Sequence, residues 1–125
     1  MYQTYLITGA TGFLGSAVVQ LLLAHGCRVL ALVKDRDPLI YTLPNHVAAF
    51  YGDLTDKESL RDFFAAGGDD FCVLHCAGLI SIASKPDEAL YAVNVQGTRN
   101  IVDLCREFGA SRLIYVSSVH AIPEK

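Results

Sequence analysis

The sequence lacks any long apolar run and any block of charge of one sign. Its longest hydrophobic stretch, Val18 to Ala24, is interrupted by Gln20. That is far short of the roughly 20 residues that span a bilayer, so no membrane partner is expected. Lysine and arginine number 10 against 13 aspartates and glutamates, a net charge of −3 with both signs scattered. No basic stripe is present, so no nucleic-acid partner is expected. The four cysteines, Cys27, Cys72, Cys76 and Cys105, form no Cys-x-x-Cys. Free buried thiols in a reducing cytoplasm are the expectation. A metal would need Cys72, Cys76 and His75 to converge; in a strand His75 points away from the other two, so none is expected. Repeats and low-complexity tracts are absent, and the N-terminus enters a strand directly, with no secretory leader visible.

What is present is ample for a core: hydrophobic residues make up 52% of 125 residues, enough for one domain covering 1–125. Strand and helix patterns alternate. Strands are expected at Tyr5–Thr8, Arg28–Val33, Val47–Tyr51, Phe71–Cys76 and Arg112–Ser117. A helix over Phe13–His25 places Phe13, Leu14, Ala17, Val18, Leu21 and Leu22 at helical spacing, with Gly26 as its C-terminal cap. A second helix opens near Asp53, with Thr55 as N-cap and Glu58 three residues on, the pattern of a capping box, and breaks at Gly67-Gly68. A long helix starts at Pro86 and stops at Gly109. This alternation specifies an α/β fold: a doubly wound parallel sheet, Rossmann-type, with the first strand central. The last strand has no helix after it, so the fold is expected to be incomplete at its C-terminus, and its bare face and edge favour a homo-oligomer.

The strand–turn–helix at the start carries the chemistry. Thr8-Gly9-Ala10-Thr11-Gly12-Phe13-Leu14-Gly15 sets three glycines three apart between a strand and a helix. A helix N-terminus offers unpaired N–H groups and a positive dipole end, which hold phosphate. Glycines let the backbone approach a pyrophosphate closely. The spacing differs from Gly-x-Gly-x-x-Gly, so context decides its meaning. At the end of the second strand, Lys34 and Arg36 can pair with a 2′-phosphate. A solvated basic loop is the competing reading, and Asp35 between them can reach a ribose. NADP is the expected cofactor, with NAD as the alternative. Asp53 can accept from an adenine amino group while Leu54 packs on the ring; an acid at a helix start is the plainer reading. Ala77 and Gly78, after the fourth strand, let backbone lie against ribose and pyrophosphate. His75 reads as a packed strand histidine. Asn94 and Gly97 are poor helix-interior residues, which implies packing or polar work. Ser117 and Ser118 end the fifth strand beside the crevice, where a hydroxyl can hydrogen-bond a substrate carbonyl or alcohol.

Taken together, these segments resemble the N-terminal half of extended short-chain dehydrogenases/reductases, in the dihydroflavonol-reductase and sugar-nucleotide epimerase/dehydratase branch. The resemblance runs from Thr8-Gly9 to Tyr115-Val116-Ser117-Ser118. It implies that Gly9, Gly12 and Gly15 hold the pyrophosphate with Thr11, Phe13 and Leu14 in the same turn. It also implies that Asp53 and Leu54 contact adenine, Ala77 and Gly78 line the ribose side, Asn94 supports the site, and Ser118 is the catalytic serine. The family's general acid/base lies in a Tyr-x-x-x-Lys. No tyrosine here is followed by lysine at that spacing, and the chain ends seven residues after Ser118. The resemblance therefore implies the cofactor-binding part of an oxidoreductase, inactive by itself, whose parent acts on a small-molecule carbonyl or alcohol. A sugar-nucleotide epimerase/dehydratase and a non-catalytic dinucleotide sensor are the alternatives.

Overall fold

A computed structural model describes residues 4–11, 13–34, 43–76 and 88–115, with backbone alone for Phe13, Leu14 and residues 88–94. The elements are β1 (Thr4–Thr8), α1 (Phe13–Ala24), β2 (Arg28–Val33), β3 (Ala48–Tyr51), a 3₁₀ turn (Lys57–Leu60) running into α2 (Arg61–Ala65), β4 (Phe71–His75), α3 (Glu88–Phe108) and β5 (Arg112–Tyr115). The five strands form one sheet in the order β3-β2-β1-β4-β5. All pairs are parallel, with β1 at the centre as the alternation of patterns predicts.

Side chains alternate across the pleat and build two cores. Tyr5, Ile7, Val29, Ala31, Cys72 and Leu74 face α1 and meet its Val19 and Leu22. Leu6, Leu30, Leu32, Phe71 and Val73 face the other way and meet Phe63, Phe64, Ile101 and Leu104. Strands buried on both faces read as continuous apolar runs, which is why β2 and β4 stand out in the sequence. Phe64 anchors the second core, with ring centroids 5.7 Å from Phe63, 6.2 Å from Phe71 and 6.0 Å from Phe108. Helix α1 ends at Gly26 and α3 at Gly109, both at positive φ (77° and 72°), as glycine caps do.

The structure settles one point that the sequence pattern leaves open and corrects another. The buried row of α1 is Gly15, Val19 and Leu22, whereas Ala17 is exposed and Leu21 is 58% exposed. Apolar spacing admits either row; Gly15 decides, because it must face the β1 turn and the residues one and two turns on follow it inward. The capping box does not form. Thr55 donates both its backbone N–H (2.9 Å) and its hydroxyl (2.8 Å) to the Asp53 carboxylate, and Glu58 pairs with Arg61 Nε at 3.0 Å. Asp56 precedes the first turn without a side-chain cap. A local Asx turn at Asp53 has outcompeted the box for the threonine. The fourth strand pairs through His75, one residue short of the expected Cys76, and the third starts at Ala48.

Candidate functional site

Parallel register brings the C-terminal ends of the central strands level: Thr8 lies opposite Leu32 on one side and His75 on the other. In open α/β sheets ligands bind in the crevice outside such strand ends. The β1–α1 connection starts with Gly9 at φ 74°, a conformation that side chains resist. Gly15 packs against that turn so closely that a Cβ would lie 1.9 Å from the Gly9 carbonyl oxygen and 3.1 Å from Ala10 Cα. Only glycine fits at position 15, and the contact holds the start of α1 against the β1 turn. A tight glycine turn ahead of a helix N-terminus is the kind of element that holds a pyrophosphate. Thr11 lies in the same turn, and Phe13 and Leu14 begin the helix.

On the β2–β3 side, Lys34, Tyr51, Gly52 and Asp53 line a depression of about 350 Å³. Lys34 is exposed. The hydrogen bonds from Thr55, with a smaller contribution from the Lys34 charge, hold the Asp53 carboxyl below its ordinary range. Asp53 is therefore an anion beside a lysine, on a segment further held by the Asp53 N–H bond to Ser59 Oγ at 2.9 Å. Leu54 is half-buried against α3, where Gly97 makes room: a Cβ there would lie 3.0 Å from Leu54 Cβ. The weak helix former at position 97 thus does the packing work its placement suggests.

At the C-terminal ends of β1 and β4 lies a polar cluster whose partners the residue pattern did not reveal. His75, 2% exposed, has Nδ1 2.8 Å from Thr8 Oγ1 and Nε2 3.2 Å from Thr98 Oγ1. Its ring stacks on Tyr115 at 5.3 Å, and Cys76 donates its N–H to Thr8 Oγ1 at 3.0 Å. Burial pushes the imidazole pKa down to about 4. A neutral ring, with one donor and one acceptor nitrogen, satisfies two hydroxyls that can each play either role. His75 is thus a packed strand histidine, as expected, tying β1, β4 and α3 together under the site. The available signal was a polar residue closing an apolar strand; its partners lie 67 and 23 residues away in the chain. Burial also raises the thiols of Cys72, Cys76 and Cys105. Cys72 and Cys76 pack on the α1 face, away from the Thr98 side that His75 addresses. Among the described residues no group of metal-binding side chains is found, and no helix is long and apolar enough to cross a membrane.

Of the other expected site residues, Asn94 lies on α3 with only its backbone described. Gly12, Arg36, Ala77, Gly78, Ser117 and Ser118 lie outside the described residues.

The family model for the NAD dependent epimerase/dehydratase family matches residues 5–125. Sterol demethylase protein B of Methylococcus capsulatus is 37% identical over 120 residues, covering 96% of this chain and 36% of the relative. A Synechocystis protein provisionally named a dihydroflavonol 4-reductase is 37% identical over 127 residues, covering 100% of this chain and 35% of the relative. The structure of UDP-glucose 4-epimerase from Thermus thermophilus, in complex with NAD, superposes with a TM-score of 0.75 at 34% identity over 88% of this chain and 36% of that one. The chain thus spans about a third of the length of these relatives. Its parallel five-stranded sheet, its Gly9–Gly15 turn and these likenesses agree, and the chain belongs to the NAD-dependent epimerase/dehydratase family.

Proposed function

We propose that residues 1–125 form the dinucleotide-binding part of an NADP-preferring oxidoreductase that moves hydride between nicotinamide and a small-molecule carbonyl or alcohol. The observation that carries this reading is the Gly9–Gly15 backbone contact, which holds the start of α1 tight against the β1 turn, the arrangement in which a helix N-terminus takes a pyrophosphate. Gly9, Gly12 and Gly15 cradle the pyrophosphate, with Thr11, Phe13 and Leu14 completing the turn. Asp53 and Leu54 take the adenine, and Ala77 and Gly78 border the ribose. Lys34, with Arg36, meets a 2′-phosphate; its exposed position beside Asp53 supports this, because a dianionic phosphate needs a cation there.

The bound nicotinamide supplies the hydride. Ser118, with Ser117 beside it, orients the substrate oxygen, and Asn94 supports that end of the crevice. A carbonyl accepting hydride needs a proton donor within hydrogen-bond reach. A serine hydroxyl is too weak an acid for that role, and no Tyr-x-x-x-Lys lies in these residues. Alone, then, the chain binds cofactor without turnover. Four cysteines without a disulfide suit a reducing cytoplasm.

The test has two arms. The reading frame downstream of Lys125 is inspected for Tyr-x-x-x-Lys, and the encoded polypeptide is offered NADPH with a panel of small aldehydes and ketones. Oxidation of NADPH in step with carbonyl reduction supports the reading. In a parallel reaction with a UDP-sugar and NAD+, interconversion of the sugar without net change in the nicotinamide makes the protein an epimerase instead. A stop codon together with dinucleotide binding makes it a non-catalytic module.

A further inference from the structure

One ridge of α3 grips the segment that follows β3. Gly97 accepts the Leu54 side chain, and Asn100 Nδ2 donates to the Leu54 carbonyl at 2.7 Å. Further along, Asp103 pairs with Lys57 at 3.2 Å, and Glu107 pairs with Arg61. The four positions fall at helical spacing on one side, so segment 54–61 lies along the helix as a strip. The contacts are unequal. Lys57–Asp103 and Arg61–Glu107 are partly solvated pairs, a class that contributes little to holding a geometry. Asn100 is 3% exposed, and its Oδ1 accepts from Gln96 Nε2 at 3.0 Å, which fixes the orientation of the amide. A buried amide with its acceptor side already taken has its donor side committed to Leu54.

We infer that Asn100 is a positioning residue for adenine recognition. Through the Leu54 carbonyl, and with Gly97 seating the Leu54 side chain, it sets the backbone at Leu54, and Asp53 beside it, at the height of the adenine ring. The inference rests on the reading of Asp53 and Leu54 as the adenine seat. It makes α3 a single rigid part contributing at both ends of the crevice: Thr98 holds His75 under the β1 turn, and Asn100 holds the adenine wall.

The test separates the two ends of the ligand. ADP-ribose and nicotinamide mononucleotide are titrated into the full chain and into Asn100→Asp and Gly97→Ala. Asn100→Asp preserves shape and replaces the donor with an acceptor facing a carbonyl; Gly97→Ala pushes Leu54 outward. Each variant is expected to weaken ADP-ribose about tenfold, the size of one lost buried hydrogen bond, with nicotinamide mononucleotide changed far less. Glu107→Gln, on the exposed end of the same ridge, leaves both affinities in place. In the unmodified chain the Asn100 side-chain amide resonances move with ADP-ribose and stay still with nicotinamide mononucleotide, a readout independent of how the variants fold. Equal weakening of both ligands, or Asn100 resonances indifferent to ADP-ribose, overturns the inference. Absence of ADP-ribose binding to the unmodified chain overturns the adenine seat itself, and the inference with it.

Discussion

The carbonyl oxygen of Gly9 occupies the space that a side chain on Gly15 would need, with 1.9 Å between that oxygen and an added Cβ. Turn and helix are therefore in backbone contact, and the separation of the two elements is set by the absence of an atom. Gly15→Ala must drive α1 away from β1. Overpacking of this kind costs about 1–3 kcal/mol, at the upper end where backbone rather than a flexible side chain has to yield. The expected result is a lowered Tm and loss of dinucleotide binding together. A variant that keeps both would show that the turn relaxes freely.

His75 gives the fold a defined acid weakness. Its pKa is about 4 in the folded chain against an ordinary value of 6.5, so between those values the unfolded chain binds the extra proton. Stability therefore rises with pH through that window and is lost as pH falls from 6.5 towards 4, by about 3 kcal/mol at the limit. His75→Gln retains hydrogen-bonding capacity and removes the titration. Its urea midpoint is expected to fall less than that of the unmodified protein between pH 7 and pH 4.5, roughly the interval over which the linkage acts. Parallel curves would mean that the imidazole is not held neutral.

Phe64, fully buried and in contact with three other phenylalanine rings, is the keystone of the core beneath α3. Phe64→Ala removes those contacts and leaves a cavity, at a cost of about 3–5 kcal/mol. Denaturant unfolding reads this directly. Glu107→Gln, at the partly solvated end of the α3 ridge that meets Arg61, is expected to shift the midpoint only slightly, and less at high salt.

Fold class and the central place of β1 are legible because buried parallel strands announce themselves: the apolar run Val29–Val33 marks all of β2 but its exposed first residue. Which side of α1 turns inward is not, since Ala17 and Leu21 are as apolar as Val19 and only the Gly9–Gly15 contact chooses between them. At the second helix, Thr55 and Glu58 have the right identities for a capping box, but Asp53 two residues earlier captures the threonine. The glycine turn and the Asp53-Leu54 segment are visible as local motifs. The Thr8–His75–Thr98 tie and the Asn100–Leu54 bond are not, because their partners are joined only by the folded sheet.

The central claim is that this chain holds a dinucleotide on its glycine turn, with Lys34 reading the 2′-phosphate. Titration of NADPH and NADH into the chain and into Lys34→Glu, followed by fluorescence and thermal shift, tests it most directly. The account predicts stabilisation by both, tighter binding of NADPH by roughly tenfold, as one charge-assisted contact provides, and reversal of that preference in Lys34→Glu. Equal affinity for the two, unchanged in Lys34→Glu, would contradict the role of the lysine. No shift with either dinucleotide would contradict the claim itself.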